Sequence, residues 1–261
     1  MMLPDKIKEI IGNRAYTLDD IGMSGSQVLI FDDMVLKIQP ESAEALTERE
    51  MMRWLGGKLP VPDIICHEVV DGMSFLLMSR LSGKMTCDPT IINDPMRLVD
   101  LLCEGLQMLW QVDISDCPCN ATLDQHLSAA EYRVKNGLVD VDDAEPDTFG
   151  EQGFRNPEEL LAWLKDNRPT EDRVLSHGDY CLPNIFADDK GVCGFLDSGR
   201  GGYADRYRDI ALCYRSLKSN LHGSYGDHPP IDFDADMLFH KLGIAPDWEK
   251  IRYYTLLDEL F

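Results

Sequence analysis

The character of the sequence changes near residue 81, and this change limits the folds that the chain can adopt. Before it, short segments rich in β-branched and aromatic residues alternate with Gly or Asp-Asp turns, and Asp71-Gly72 is typical of a β-hairpin. After it, the pattern predicts helices near 95–112, 122–135, 157–166, 204–219, 233–242 and 247–260. Strands and helices kept apart in this way predict an α+β fold.

The same change suggests how the chain is divided. We predict an N-terminal lobe over residues 1–81, with an antiparallel sheet and one helix, and a mainly helical C-terminal lobe over 82–261. The helix of the first lobe is predicted over 41–57, where good helix formers precede a Gly-Gly pair. Ser82-Gly83 favours a flexible hinge at about 79–84.

The net charge of the chain indicates which classes of ligand it can bind. It has 25 Lys and Arg residues against 46 Asp and Glu residues, which gives a formal net charge of -21. Because nucleic-acid binding depends on clustered cations, we expect no nucleic-acid partner. Attraction of a small cationic molecule and mere solubility explain the charge equally well.

Several further features favour a cytoplasmic protein without a membrane partner. The eight cysteines form no CxxC pair and no zinc-site spacing. The N-terminal segment lacks the apolar core of a signal peptide, and no apolar run approaches the roughly 18 residues of a membrane span. We therefore expect reduced thiols. The oligomeric state is left as a monomer or a weak dimer.

The segment over 176–199 contains the strongest chemical signal. Asp179 and Asn184 lie five residues apart in SHGDYCLPNIF, and Asp197 follows an apolar strand in a D-x-G motif. This spacing matches that of the catalytic residues of protein kinases. Phosphoryl transfer needs a carboxylate that accepts a hydroxyl proton, here Asp179, and oxygen ligands for Mg²⁺, here Asn184 and Asp197. A turn aspartate is the competing interpretation of Asp179 alone, and His177 is expected only to orient the loop.

A kinase-like site also needs a lysine and an acid upstream. Lys37 lies in the third predicted strand, and Glu48 lies on the apolar side of the predicted helix over 41–57. We predict that Glu48 fixes the Lys37 ammonium for the α- and β-phosphates; a solvated lysine and a solvated acid are the alternative. The segment GMSGS (22–26) is the candidate phosphate-covering turn, and an ordinary hairpin loop is the alternative there.

Longer stretches of the sequence point to a family. SHGDYCLPNIF, GFLDSGRGGYADRYRDIAL and DWEKIRYYTLLDELF closely resemble the aminoglycoside 3'-phosphotransferases, which are kanamycin and neomycin resistance kinases. MMRWLGGKLPVP and LLMSRLSG are similar to the N-terminal lobe of the same family, so the resemblance covers nearly the whole chain. It implies a bilobal protein-kinase-like fold. It also implies ATP with Mg²⁺, and direct transfer of the γ-phosphoryl group to the 3'-hydroxyl of a cationic aminoglycoside, or to the 5''-hydroxyl of some substrates.

The resemblance also implies roles for individual residues. Besides the groups already assigned, Ser24 would touch the β-phosphate, and the backbone from Ser79 to Leu81 would meet the adenine edge. The residues implied to bind the drug are Asp143 and Glu145, with Asp147 as a further candidate, in the acidic loop DVDDAEPD, together with Arg200, Asp258, Glu259 and the terminal carboxylate of Phe261. Solvated acids in a turn and on a terminal helix are the simpler alternative.

The sequence departs from the family pattern at a few positions, and two other functions stay open. Val35 stands where some relatives have an aromatic residue against adenine, so GTP is possible beside ATP. Ser216, next to Arg215, and Lys218 are expected to influence the range of drugs. The open alternatives are a kinase of the same fold that acts on another small hydroxyl compound, such as a macrolide or a metabolite, and a nucleotide-binding module without turnover.

Overall fold

Residues 3–18, 26–151, 153–224 and 229–261 are described by the structure, a computed structural model. The strands are β1 Thr17–Leu18, β2 Gln27–Ile30, β3 Met34–Pro40, β4 Ile64–Val70, β5 Met73–Ser79, β6 Lys84–Met85, β7 Arg173–Ser176, β8 Ile185–Asp188, β9 Gly191–Phe195 and β10 Gly202–Asp205. The helices are α1 Asp5–Ile11, α2 Ala43–Leu55, α3 Pro89–Ile92, α4 Pro95–Trp110, α5 Leu123–Lys135, α6 Pro157–Asp166, α7 Arg206–Leu221, α8 Met237–Leu242 and α9 Trp248–Asp258.

The first part of the chain forms an antiparallel five-stranded sheet in the order β1-β2-β3-β5-β4. The Asp71-Gly72 turn joins β4 to β5, and both of its residues have positive φ, 51° and 75°, as a tight hairpin turn requires. In the central strand β3, Lys37 lies opposite Leu76 of β5 and Val28 of β2. Lys37 is therefore held in the middle of the sheet.

Both faces of this sheet are covered. On one face Leu36 and Phe75 pack with Ile7 and Ile11 of α1. The sequence pattern did not predict α1, because its seven residues are too few to show a helical period. The other face, which carries Lys37, lies against α2. That helix begins after Ser42, whose hydroxyl accepts a hydrogen bond from the Ala45 N–H.

The rest of the chain is mainly helical and packs around α4. Leu98, Leu102 and Leu106 of α4 are fully buried in one large core that also includes α7 and α9. Two small sheets rest on this core, β7 with β10 and β6 with β8 and β9. The predicted helix over 157–166 has the observed bounds of α6, because Asn156 caps it and Pro157 starts it. The strands β7 and β10 were not predicted.

The chain passes from the five-stranded sheet to the helical part between Ser79, the last residue of β5, and Lys84, the first of β6. This crossing coincides with the predicted hinge, and the division into lobes at that point stays a prediction. Within the described ranges, none of the helices combines the length and the apolar character needed to cross a membrane.

Candidate active site

The loop between β7 and β8 brings together the two polar residues that the sequence singled out. The Asn184 side-chain amide donates to the Asp179 carbonyl at 3.0 Å and to Asp179 Oδ2 at 2.9 Å. The Asp179 carbonyl also accepts from the Cys181 N–H at 2.9 Å, which tightens the turn. Asp179 itself is half-buried. These hydrogen bonds therefore hold its carboxylate in one orientation at the surface of the loop.

His177 lies behind this loop and does not reach its surface. It is 3% exposed, and its Nδ1 accepts a hydrogen bond from the Asp179 N–H at 3.3 Å. Its ring meets the Tyr180 ring edge-on at 6.0 Å. Among the residues that the structure describes, none is a hydrogen-bond partner of the buried His177 Nε2. These contacts fit the expected orienting role.

Asp209, to which no sequence pattern assigned a function, anchors the loop. This α7 residue is fully buried, and its carboxylate accepts from the Ser176 hydroxyl at 2.9 Å, the His177 N–H at 2.8 Å and the Gly178 N–H at 3.0 Å. Burial raises the pKa of Asp209, against the opposing effect of these donors and neighbouring charges. A charged residue directly before the apolar run IAL (210–212) was the available signal.

Gly178 fits this arrangement for a steric reason. Its φ is 87°, and a Cβ at this position would collide with the Arg200 carbonyl. The buried Arg208 guanidinium donates to the Gly178 carbonyl at 3.1 Å and to the Arg200 carbonyl at 3.0 Å. The loop of Asp179 and the segment after Asp197 are thereby tied together.

Lys37, Glu48 and Asp197 meet at the sheet side of the site. Lys37 Nζ lies 3.0 and 3.1 Å from the two Glu48 carboxylate oxygens and 2.6 Å from Asp197 Oδ1. Lys37 is 7% and Glu48 3% exposed, so the inward direction predicted for Glu48 is present. Burial alone would lower the pKa of Lys37, but the charges of Glu48 and Asp197 outweigh it and raise the pKa. The lysine is held as an ammonium.

Asn184 and Asp197 form a donor set that fits Mg²⁺. Since the Asn184 amide nitrogen is engaged by Asp179, its carbonyl oxygen is directed away from that residue. Asp197 follows β9, which pairs with the β8 strand that Asn184 precedes, and adopts a positive φ of 61°. The residues with a described placement include no cluster of three or more His, Cys, Asp or Glu side chains that could hold a metal by itself. Mg²⁺ commonly takes one or two protein ligands and completes its shell with phosphates and water.

The backbone N–H groups of the predicted hinge are partly engaged within the protein. The Ser79 and Arg80 N–H groups donate to the Asp63 and Asp33 carbonyls, at 2.9 and 3.1 Å. In the described part of the chain the Leu81 N–H donates no hydrogen bond. Ser24, the predicted phosphate contact, lies outside the described residues.

Asp258 and Glu259, the acids predicted to bind a cation, are paired within the protein. The Arg215 guanidinium contacts the Asp258 carboxylate and lies 3.1 Å from Glu259 Oε1. Arg200 reaches Asp258 Oδ1 at 3.4 Å and Glu44 Oε1, on α2, at 3.1 Å. Burial raises the pKa of Glu259, while Arg215 and the Glu145 N–H oppose it. Two arginines thus offset part of the negative charge here.

The acidic loop and Phe261 border the same region. The Glu145 N–H donates to Glu259 Oε2 at 2.9 Å, which fixes the loop beside α9. Asp143 and Asp147 are exposed. The Phe261 ring stacks on His126 at 4.5 Å, and Arg133 donates to a main-chain oxygen of Phe261 at 2.7 Å.

Ser216 contacts the loop that carries Asp179 and Asn184. It is 7% exposed, and its hydroxyl accepts a hydrogen bond from the Leu182 N–H at 3.1 Å. Its expected influence on the range of drugs stays a prediction. Lys218 is exposed and lies over the Tyr214 ring at 5.4 Å.

The chain is similar in sequence to known phosphotransferases. A model of the phosphotransferase enzyme family matches residues 16–254. The whole chain is 38% identical to an aminoglycoside 3'-phosphotransferase of Enterococcus faecalis and 37% identical to one of Staphylococcus aureus, and the match covers 99% of each relative.

Solved structures support the same assignment of fold. The chain is similar to an aminoglycoside-3'-phosphotransferase of type VIII, with a TM-score of 0.81 and 26% identity over 98% of this chain and 97% of that one. An aminoglycoside phosphotransferase of Streptomyces rimosus in complex with ADP and streptomycin gives a TM-score of 0.76 at 24% identity, over 97% and 95% of the two chains. These likenesses confirm the predicted fold class.

Proposed function

The chain belongs to the phosphotransferase enzyme family, among the aminoglycoside 3'-phosphotransferases, and on this premise we propose that it phosphorylates kanamycin- and neomycin-type aminoglycosides with ATP. Transfer is direct, from the γ-phosphate to the 3'-hydroxyl of the drug, and confers resistance. The proposal includes Mg²⁺ as the metal and the cytoplasm as the location.

One observation supports the proposal: the residues proposed for phosphoryl transfer and the acids proposed for a cation are joined through Arg200 and Arg208. Arg200, three residues after Asp197, contacts Asp258 at the end of α9. Arg208 donates both to the carbonyl of the same arginine and to the Gly178 carbonyl in the Asp179 loop, and so joins the two. A hydroxyl compound bound against the α9 acids is thereby brought to the loop that holds Asp179.

In this proposal Asp179 accepts the proton of the drug hydroxyl. The Asn184 amide donates to one carboxylate oxygen of Asp179, Oδ2, at 2.9 Å. The side chain of Asp179 is therefore already in one rotamer before the substrate binds. A positioned carboxylate of this kind contributes about 10²- to 10⁴-fold to the rate. His177 is buried behind the loop, so it is not a candidate for a phosphorylated intermediate.

Lys37 and the two metal-ligand candidates act on the nucleotide. Glu48 holds the Lys37 ammonium where it can contact the α- and β-phosphates. Asn184 and Asp197 would hold Mg²⁺, which neutralises charge on the phosphates when bound. The Leu81 N–H is the candidate donor to the adenine edge. ADP in the Streptomyces rimosus structure supports an adenine nucleotide, and use of GTP stays a prediction.

Recognition of the drug follows from charge. An aminoglycoside carries several ammonium groups, which need carboxylates that are not already neutralised. Because Arg215 and Arg200 offset part of the charge of Asp258 and Glu259, the exposed acids Asp143 and Asp147, with Glu145, supply much of the remaining attraction.

The position of transfer can be tested with substrates. The purified protein is expected to form ADP with kanamycin and neomycin, and none above the drug-free rate with tobramycin, which lacks a 3'-hydroxyl. Tobramycin should still inhibit the kanamycin reaction competitively, since its ammonium groups remain. In a susceptible bacterium, expression should protect against the first two drugs and not against tobramycin.

Other results of this test would lead to other conclusions. Equal turnover of tobramycin would place transfer at another hydroxyl. Turnover of a macrolide in the absence of any aminoglycoside turnover would favour a kinase for a neutral compound. Tight ATP binding without transfer to any compound of the panel would indicate a silent nucleotide-binding module.

The role of the acidic loop is tested by Asp143→Asn. Because Asp143 is exposed, its neutralisation leaves the packing intact and removes only attraction for the drug. We expect the KM for kanamycin to rise about threefold to tenfold at low salt, with kcat and the KM for ATP changed less than about twofold. The matched control is Asp189→Asn, which removes an exposed charge from the β8–β9 turn. An unchanged KM for kanamycin would contradict the assignment.

A further inference from the structure

Arg200 is shared between two carboxylates that belong to different parts of the fold. Its Nε donates to Glu44 Oε1 at 3.1 Å, on the first turn of α2, and its Nη1 donates to Asp258 Oδ1 at 3.4 Å, at the end of α9. The Glu44 side chain is 53% exposed, and that of Asp258 is 19% exposed. One guanidinium thus joins the helix beside the nucleotide site to the acid beside the drug site.

The backbone approaches closely at the same point. A Cβ on Gly199 would lie 3.0 Å from the Glu44 carbonyl oxygen, so the D-x-G segment and the start of α2 are in contact. The Arg200 carbonyl accepts from Arg208 at 3.0 Å, which fixes the base of the arginine side chain. Movement of the guanidinium therefore changes its bonds to Glu44 and Asp258 more readily than it displaces the backbone.

The helix that carries Glu44 also carries the partner of the nucleotide lysine. Glu48 comes one turn later on α2 and lies 3.0 Å from Lys37 Nζ. Because Glu44 and Glu48 lie on the same continuous helix, a displacement of Glu44 also displaces Glu48. The series Asp258, Arg200, Glu44, Glu48 and Lys37 is connected by direct contacts at every step except this one helical turn.

We propose that Glu44 is a positioning residue that couples cation binding at Asp258 to the placement of α2, and through it to the Lys37–Glu48 pair. This inference rests on the proposed function, because it takes the cation to be an ammonium group of the aminoglycoside. Glu44 touches neither substrate and acts through Arg200.

The direction of the coupling follows from the shared guanidinium. An ammonium group bound at Asp258 neutralises part of the carboxylate charge that attracts Arg200. The ammonium group also repels the Arg200 guanidinium. Arg200 then bonds more strongly to Glu44, which draws α2 toward the D-x-G segment and holds Glu48 over Lys37. Since coupling free energies are reciprocal, the drug should tighten nucleotide binding by the same factor as the nucleotide tightens drug binding.

The test is a double binding experiment on the intact protein and Glu44→Gln. Calorimetry gives the Kd of Mg²⁺-AMP-PNP, a non-hydrolysable ATP analogue, without drug and with saturating kanamycin. In the wild type we expect kanamycin to lower this Kd at least about fivefold, a common size for coupled sites. In Glu44→Gln we expect less than about a twofold change, with the drug-free Kd within about twofold of the wild type, since Lys37 and Glu48 are intact.

Glu50→Gln is the matched control, because it removes the same charge from an exposed position of the same helix without touching Arg200. It should keep the full coupling. Glu44→Asp, which retains the charge on a shorter side chain, should recover part of it. If Glu44→Gln only made the helix less stable, nucleotide binding without the drug would weaken. The ratio of the Kd without kanamycin to the Kd with kanamycin would then stay as in the wild type.

Two outcomes would overturn the inference. Equal coupling in the wild type and Glu44→Gln would remove Glu44 from the connection, and so would equal loss in Glu44→Gln and Glu50→Gln. Failure of the proposed function appears differently, as a wild type that binds Mg²⁺-AMP-PNP and neither binds nor phosphorylates kanamycin.

Discussion

Replacement of Asp179 by Asn is expected to lower kcat for kanamycin phosphorylation at least about 100-fold, the lower range for a positioned general base. The amide has nearly the shape of the carboxylate, so the loop should keep its contact with Asn184. The KM values for kanamycin and ATP should stay within about threefold, because neither the α9 acids nor Lys37 is altered. The measurement is steady-state ADP release at saturating Mg²⁺.

The control for this substitution is Asp189→Asn on the exposed β8–β9 turn, which should retain wild-type kcat. Near-normal turnover by Asp179→Asn would exclude Asp179 as the base. The Asp179–Asn184 contact would then have a purely structural role.

The residues that could be predicted from the sequence have roles set by local spacing. Asp179 and Asn184 lie in one short loop, and Asp197 ends the hairpin that begins at Asn184, so few arrangements of the chain could separate them. Glu48 could be chosen because the apolar side of α2 identifies which acids point inward. Local caps and turns, as at Asn156 and Asp71, likewise set the bounds of α6 and the β4–β5 hairpin.

The unpredicted contacts depend on how distant elements pack. Arg200 and Glu44 are 156 positions apart, and no local pattern relates them. Ser216 could not be oriented from the sequence because its neighbours on α7 include both buried and exposed residues. The short helix α1 and the strands β7 and β10 are stabilised by the surfaces on which they pack. Their own sequences are too short to show a period.

The loss of Asp209 should affect folding strongly. Its side chain satisfies three buried donors, from Ser176, His177 and Gly178, and Asp209→Ala would leave them without that acceptor. Each buried donor left unpaired costs about 1–3 kcal/mol, so the loss is large against a total stability of about 5–15 kcal/mol. We expect a decrease of at least about 3 kcal/mol in the free energy of unfolding, measured by urea titration.

Activity should fall together with stability, because the same three donors shape the loop that presents Asp179. Asp209→Asn separates the two effects: its amide keeps one acceptor oxygen, but turns an N–H₂ group toward donors that need an acceptor. It should therefore be less destabilised than Asp209→Ala and still show a kcat at least about tenfold below wild type at temperatures where it is fully folded. Exposed Asp189→Ala should change neither quantity. A fully folded Asp209→Asn with wild-type kcat would show that the loop keeps its catalytic geometry without this anchor, and Arg208, which also holds the Gly178 carbonyl, would then be the group that maintains it.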